Sequence, residues 1–275
     1  VSRLAKVFNE LQQAGRKAVV PYIVAGDPNL SATVPLMHSL VAAGANVIEV
    51  GVPFSDPMSE GPVIQKAHER ALAVGTSLRA TLALVAEFRQ TDSDTPVVMM
   101  GYANPIERMG YRVFADLCAA SGVDGLITVD LPPEEVDTVN VELKRVGIDN
   151  IFLISPTTPD DRIEMITSRA SGFLYYVAVK GVTGSGALDP SEVSRYLDKI
   201  RRVSKLPVAV GFGIKDASSA ASIAEYADGV VVGSALVDAL AAAAATGVSQ
   251  AELEQVATRL ISDIRAGVDG VASAA

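Results

Sequence analysis

Apolar residues gather along this chain in eight short, nearly unbroken runs. They are VVPYIVAG (19–26), NVIEVGVP (46–53), PVVMMGYA (96–103), DGLITVDLP (124–132), NIFLISP (150–156), GFLYYVAV (172–179), PVAVGFG (207–213) and DGVVVGSA (228–235). A strand with one wet face alternates apolar and polar positions, whereas continuous runs suit parallel strands covered on both faces. Between the runs the spacing turns helical. Leu78, Leu82, Val85 and Phe88 recur at three- and four-residue steps, and so do Val193, Leu197, Ile200 and Val203. Val113, Phe114, Leu117 and Cys118 form a similar stripe. Gly15, Gly44, Gly75 and Gly122 follow helical stretches, where a left-handed cap favours glycine. Pro35 reads as a first-turn residue, where its missing N–H does little harm.

Eight alternating βα units predict the α/β class and a single (β/α)8 TIM barrel with an extra N-terminal helix. A doubly wound open sheet is the rival, weakened because no G-x-G-x-x-G follows the first run. A unit of helix end, small residue, Asp or Asn, and strand recurs in AAGANVIEV, ASGVDGLITV and EYADGVVVG. Its irregular spacing argues against a solenoid. No linker divides the chain, so residues 1–275 read as one domain, with a tail expected to fray from about Gly267.

Composition narrows the picture. Hydrophobic residues make up 49% and Trp is absent, so Val, Ile, Leu and Ala must fill the core. The formal net charge of −9 comes with no basic block, which argues against nucleic acid as a partner. One cysteine, Cys118, excludes an intrachain disulfide, and two histidines, His38 and His68, make a His/Cys metal site improbable. No apolar run reaches membrane-spanning length and the first residues are amphipathic, so a cytoplasmic protein is expected.

In a barrel, residues at the C-terminal ends of strands face the active site. Glu49 ends a run of Val and Ile, where burial would raise its pKa and suit it to proton transfer. An ion pair with a Lys or Arg at the rim is the competing reading. Glu60 and Asp56 lie in the Pro- and Gly-rich loop that follows, where turn caps or solvated acids compete with function. KGVTGSG (180–186), GFGI (211–214) and GSA (233–235) follow late strands. Their small residues let backbone N–H groups approach an anion, which points to phosphate. Lys180 suits a Schiff base less well than a place in a Gly-rich loop. Tyr22, Tyr102 and Tyr175 sit near strand ends, as pocket walls or as barrel packing. Cys118 reads as core, and His38 and His68, on helices away from strand ends, as structural.

EVG followed by PFSDPMSEGPVIQ (53–65) closely resembles the signature of the tryptophan synthase α subunit family. GDP (26–28), MMGYANP (99–105), KGVTG (180–184), VGFGI (210–214) and VVGSA (231–235) resemble it too, in the same order. Together they span the chain from Phe8 to about Ile264. The resemblance implies a barrel that cleaves indole-3-glycerol phosphate to indole and glyceraldehyde 3-phosphate, with no cofactor of its own. It also implies an α2β2 assembly with a pyridoxal-phosphate-dependent β subunit that receives the indole. By resemblance Glu49 is the acid/base and Glu60 the second catalytic carboxylate. Gly184, Phe212, Gly213, Gly233 and Ser234 match the phosphate cradle; Tyr22, Met100, Tyr102, Tyr175 and Thr183 match pocket and loop positions. Loops 53–60 and 180–189 match those that close the site and contact the β subunit.

Two positions depart from the family's usual pattern. Glu60 stands where Asp is commoner, adding one methylene of reach, and Lys180 stands where many members have Arg. Other phosphate-binding barrels, a stand-alone indole lyase and an inactive barrel that activates a partner remain as alternatives.

Overall fold

A computed structural model describes residues 2–178, 190–211 and 213–272. Eight parallel strands close into one barrel in chain order. They are β1 (Ala18–Val24), β2 (Ile48–Gly51), β3 (Val97–Gly101), β4 (Gly125–Thr128), β5 (Asp149–Ile154), β6 (Leu174–Val177), β7 (Val208–Gly211) and β8 (Gly229–Val232). Six fall inside their predicted runs, shortened at the ends where Gly, Pro and Asp take over, while β1 and β5 start one residue earlier, at Ala18 and Asp149. The barrel is sealed where β1 pairs with β8, Val20 opposite Val231.

Twelve helices accompany them among the described residues. They are α1 (Arg3–Gln13), α2 (Leu30–Ala42), α3 (Pro62–Ala73), α4 (Leu78–Phe88), α5 (Ala103–Met109) and α6 (Tyr111–Ser121). The second half holds α7 (Asp137–Val146), α8 (Asp160–Arg169), α9 (Pro190–Val203), α10 (Ala217–Ala224), α11 (Ser234–Ala245) and α12 (Gln250–Ala272). No single helix among the described residues is long and apolar enough to cross a membrane.

The extra N-terminal helix closes the barrel floor. Ser2 caps α1 through Oγ, which accepts from the Ala5 N–H at 3.2 Å, and donates to Asp149 at 2.8 Å. Leu4, Phe8 and Leu11 then point into the barrel, among Val20, Val47, Val98, Ile127, Ile151 and Phe173. Each such side chain stabilises the fold by about 1.5–3 kcal/mol. Gly125 makes room for the plug, since a Cβ there would lie 2.6 Å from Ile151 and 3.0 Å from Leu4. With the floor filled, only the C-terminal mouth remains for chemistry.

Gly15, Gly44, Gly75 and Gly122 take φ values of 64°, 102°, 81° and 79°, as predicted for caps. Three expectations need correction. Pro35 lies well inside α2, because Asn29 caps that helix from an earlier position, accepting from the Ala32 N–H at 3.0 Å. Val113 is 49% exposed, so the α6 stripe runs through Phe114, Ala115 and Cys118. The chain does not fray from Gly267: α12 continues to Ala272 with Val268 buried, and Gly267 packs on the backbone of Ala217. Small residues there allow close helix contact.

Candidate active site

Side chains on β2 alternate, so Val47 and Glu49 face inward while Ile48 and Val50 face the helices. Glu49 pairs in register with Tyr22 on β1 and with Val98 on β3. It is 1% exposed, and both carboxyl oxygens are buried without a hydrogen-bond partner among the described residues. That disposes of the rim ion pair with a described Lys or Arg. Burial first, and then the nearby Glu60, push its pKa up to about 8.

Glu60 arrives from the loop between β2 and α3. It is partly buried, and burial pushes its pKa up to about 7. The loop is held at several points. Phe54 stacks on Tyr102 with ring centroids 4.9 Å apart, and the Ser59 N–H donates to Tyr102 Oη at 3.3 Å. Gln65 Nε2 donates to the Glu60 carbonyl at 2.9 Å, tying the loop's end to α3. Asp56 stays exposed, bonded by Ser55 Oγ at 2.6 Å, so of the loop acids only Glu60 turns inward.

Two tyrosines lean over the mouth in the same manner. A Cβ on Gly51 would fall 2.2 Å from Tyr22 Oη, and one on Gly211 would fall 2.3 Å from Tyr175 Oη. A glycine at the end of β2 or β7 therefore lets the tyrosine of the preceding strand cross it. Burial raises the pKa of both phenols, and Glu49 and Glu60 raise them further. Met100 lies between the barrel interior and the cluster around Tyr22 and Ile64. Tyr22, Met100, Tyr102, Tyr175, Glu49 and Glu60 thus share one mouth.

At the β7–β8 side, Gly213 takes φ 77°, a conformation that L side chains rarely adopt. The helix that follows, α10, carries its own carboxylate cap, Asp216, in a capping box with Ser219. Helix α11 differs. It starts at Ser234 immediately after Gly233, with no side-chain cap hydrogen bond. Its first N–H groups and the positive end of its dipole are left for an anion. A Cβ on Gly233 would lie 3.7 Å from the Tyr22 ring, so this end adjoins the carboxyl pocket. Thr183, Gly184, Phe212, Lys180 and the loop 180–189 lie outside the described residues.

His68 is not remote from strand ends, as its helical position suggested. It is 2% exposed, its Nδ1 accepts from the Phe54 N–H at 2.9 Å, and its Nε2 lies 3.5 Å from Tyr22 Oη. The signal was present in the sequence: Ile64, Ala67, His68 and Ala71 form one stripe of α3, and all four are buried. His38 is peripheral, 3.0 Å from Thr91 Oγ1 and packed on Phe88, while Cys118 is core.

A plugged (β/α)8 barrel with two acids of raised pKa at its open mouth has the layout of barrel enzymes that work by carboxyl acid–base chemistry. Comparison with known proteins narrows it. Residues 8–265 match the family described as tryptophan synthase alpha chain. The alpha chain of Nitrosococcus oceani is 60% identical over 86% of this chain and 88% of its own length. That of Thiobacillus denitrificans is 50% identical over 98% and 97%. The crystal structure of the alpha subunit from Legionella pneumophila str. Paris superposes with a TM-score of 0.91 at 44% identity, covering 98% of this chain and 99% of that one. This chain belongs to the tryptophan synthase alpha chain family, lyases that cleave indole-3-glycerol phosphate.

Proposed function

We propose that Glu49 and Glu60 divide the work of cleaving indole-3-glycerol phosphate to indole and glyceraldehyde 3-phosphate. Protonated Glu49 gives its proton to indole C3, which turns the ring nitrogen cationic. The resulting Glu49 carboxylate takes the proton of the adjacent glycerol hydroxyl. The C–C bond then breaks, its electron pair returns to the ring, and the hydroxyl carbon becomes the aldehyde. Glu60, ionised and bonded to the ring N–H, stabilises the positive charge where it develops. The observation that carries this reading is the unpartnered, buried carboxyl of Glu49 beside a second raised carboxyl.

The order of ionisation suits the reaction. Glu60 has the lower pKa and loses its proton first, and its charge then raises Glu49. Between about pH 7 and pH 8 the pair holds roughly one proton, mostly on Glu49, which is the state the first step needs. Gly213, Gly233 and Ser234 hold the phosphate at the uncapped start of α11, with Gly184 and Phe212 completing the cradle. Tyr22, Met100, Tyr102, Tyr175 and Thr183 wall the indole and glycerol.

The partner is the pyridoxal-phosphate-dependent β subunit, in an α2β2 assembly. The Glu60 loop docks on that subunit, and Met58, 74% exposed in the loop, is an apolar side chain it can offer. Proton transfer and charge stabilisation by carboxyl groups ask for no cofactor on this chain. Incubating the purified protein with indole-3-glycerol phosphate and measuring free indole tests the reading, and adding a β subunit with serine tests the partnership. Absence of indole from the chain alone, together with absence of tryptophan when the β subunit and serine are added, would refute it.

A further inference from the structure

His68 has a geometry that the two carboxylates do not explain. Its Nδ1 accepts the Phe54 N–H at 2.9 Å, and in a neutral ring that places the remaining proton on Nε2. Nε2–H then faces Tyr22 Oη at 3.5 Å, and the phenol oxygen receives a hydrogen bond rather than giving one. Tyr22's own proton is thereby directed away from His68. Its hydroxyl crosses β2 over Gly51, two residues beyond Glu49 on the same inner face of the barrel. Burial lowers the His68 pKa, which keeps the ring neutral near pH 7.

The geometry points to His68 as a positioning residue of the lyase reaction, one that fixes Tyr22 as a proton donor into the pocket while anchoring the start of the Glu60 loop. The chain of contacts runs from the Phe54 N–H through the imidazole to the phenol, and from the phenol toward whatever acceptor fills the mouth. On substrate that acceptor is an oxygen of the glycerol chain or of a catalytic carboxylate. Loop and pocket wall are thus coupled through one ring. The inference rests on the proposed roles of Glu49 and Glu60.

The two arms of His68 separate by substitution. In His68→Asn the amide oxygen occupies the place of Nδ1 and keeps the Phe54 contact, but nothing reaches Tyr22. In His68→Gln the longer amide reaches Tyr22 and the Phe54 contact is lost. The enzyme is assayed for free indole, with unfolding temperature measured in parallel. His68→Asn and Tyr22→Phe should each lower kcat about three- to tenfold, the size of one neutral hydrogen bond, with KM changing less than twofold. The double variant should be no slower than either single one, and His68→Gln should recover most of the kcat lost in His68→Asn. Nitrogen NMR of the parent should show His68 as the Nε2–H tautomer. Parent-like kcat in His68→Asn, losses that multiply in the double variant, or an Nδ1–H ring would overturn the assignment. Glu49→Gln in the same assay separates the two ideas, because full activity there sinks the carboxylate mechanism whatever His68 does.

Discussion

The hydroxyl of Tyr22 rests on the Cα of Gly51, so that a Cβ at position 51 would fall 2.2 Å from Oη and 2.7 Å from Cζ. Tyr22 cannot retreat freely, because it is buried between Gly233 on one side and His68 on the other. Gly51→Ala should therefore destabilise the fold by about 1–3 kcal/mol, the usual effect of overpacking. It should also displace the phenol and lower kcat/KM by roughly 10- to 100-fold, a loss of about 1.4–2.8 kcal/mol in transition-state binding. Denaturant unfolding and the indole assay check both. Adding Tyr22→Phe should restore part of the stability, since it removes the atom in closest conflict.

Glu49→Gln keeps the shape of the side chain and removes its titration. If Glu49 both gives and takes a proton, turnover should fall roughly 10²–10⁴-fold. KM should stay within about threefold, because the phosphate is held elsewhere and a K change of that size is under 1 kcal/mol. Steady-state indole release is the measurement.

The same substitution should make the protein more stable. Glu49 has a folded pKa near 8, raised above its ordinary 4.5. The folded state therefore holds the proton while the unfolded chain has already released it, and the penalty grows as pH rises from about 4.5 toward 8. Below pH 4.5 both states are protonated and the penalty vanishes. Glu49→Gln should raise the unfolding temperature on the order of 5 °C at pH 8 and much less at pH 4.5. Equal shifts at the two pH values would show that Glu49 is not held protonated.

On the proposed roles, which need Glu60 ionised and Glu49 protonated, activity should trace a bell against pH. The acid limb falls near pH 7 and the alkaline limb near pH 8. Glu60→Ala should abolish the acid limb along with most of the activity, by about 10²-fold or more, as for loss of a charge-stabilising group. Glu60→Asp should retain both limbs at reduced rate, since the carboxylate stays and only one methylene of reach is lost.

Much of this was legible in the sequence, for definite physical reasons. Continuous apolar runs such as VVMM suit parallel strands covered on both faces, and eight of them alternating with helical stripes favoured a barrel over a doubly wound sheet. Glu49 announced itself as an acid among Val and Ile, and Glu60 through the loop motif that surrounds it. His68 was misjudged because its helix was weighed by distance from strand ends in sequence, whereas α3 folds back and lays Ile64, Ala67, His68 and Ala71 against the mouth. The crossing of Tyr22 over Gly51 was equally invisible, since it depends on the register between β1 and β2. The helical end of α12 was missed because Gly267 and Gly270 interrupt a stripe that runs through Leu253, Ala257, Ile261, Ile264 and Val268, and glycine reads as a helix breaker.

The phosphate assignment can be tested with a substitution whose effects on stability and binding have opposite signs. Ser234 is exposed at the first position of α11, a helix with no side-chain cap. An aspartate there meets the positive end of the helix dipole, so Ser234→Asp should leave the fold unharmed or stabilise it by about 0.3–1 kcal/mol. A substrate phosphate at the same N–H groups would meet a like charge within a few ångströms. At an effective dielectric near 20 such repulsion is several kcal/mol before screening, so KM should rise at least about tenfold. Once substrate is saturating, kcat should change little, because Glu49 and Glu60 are untouched. Inorganic phosphate should likewise lose its power to inhibit. A stable Ser234→Asp protein with parental KM would place the phosphate somewhere other than the start of α11, and the orientation of indole between the two carboxyl groups would have to be argued afresh.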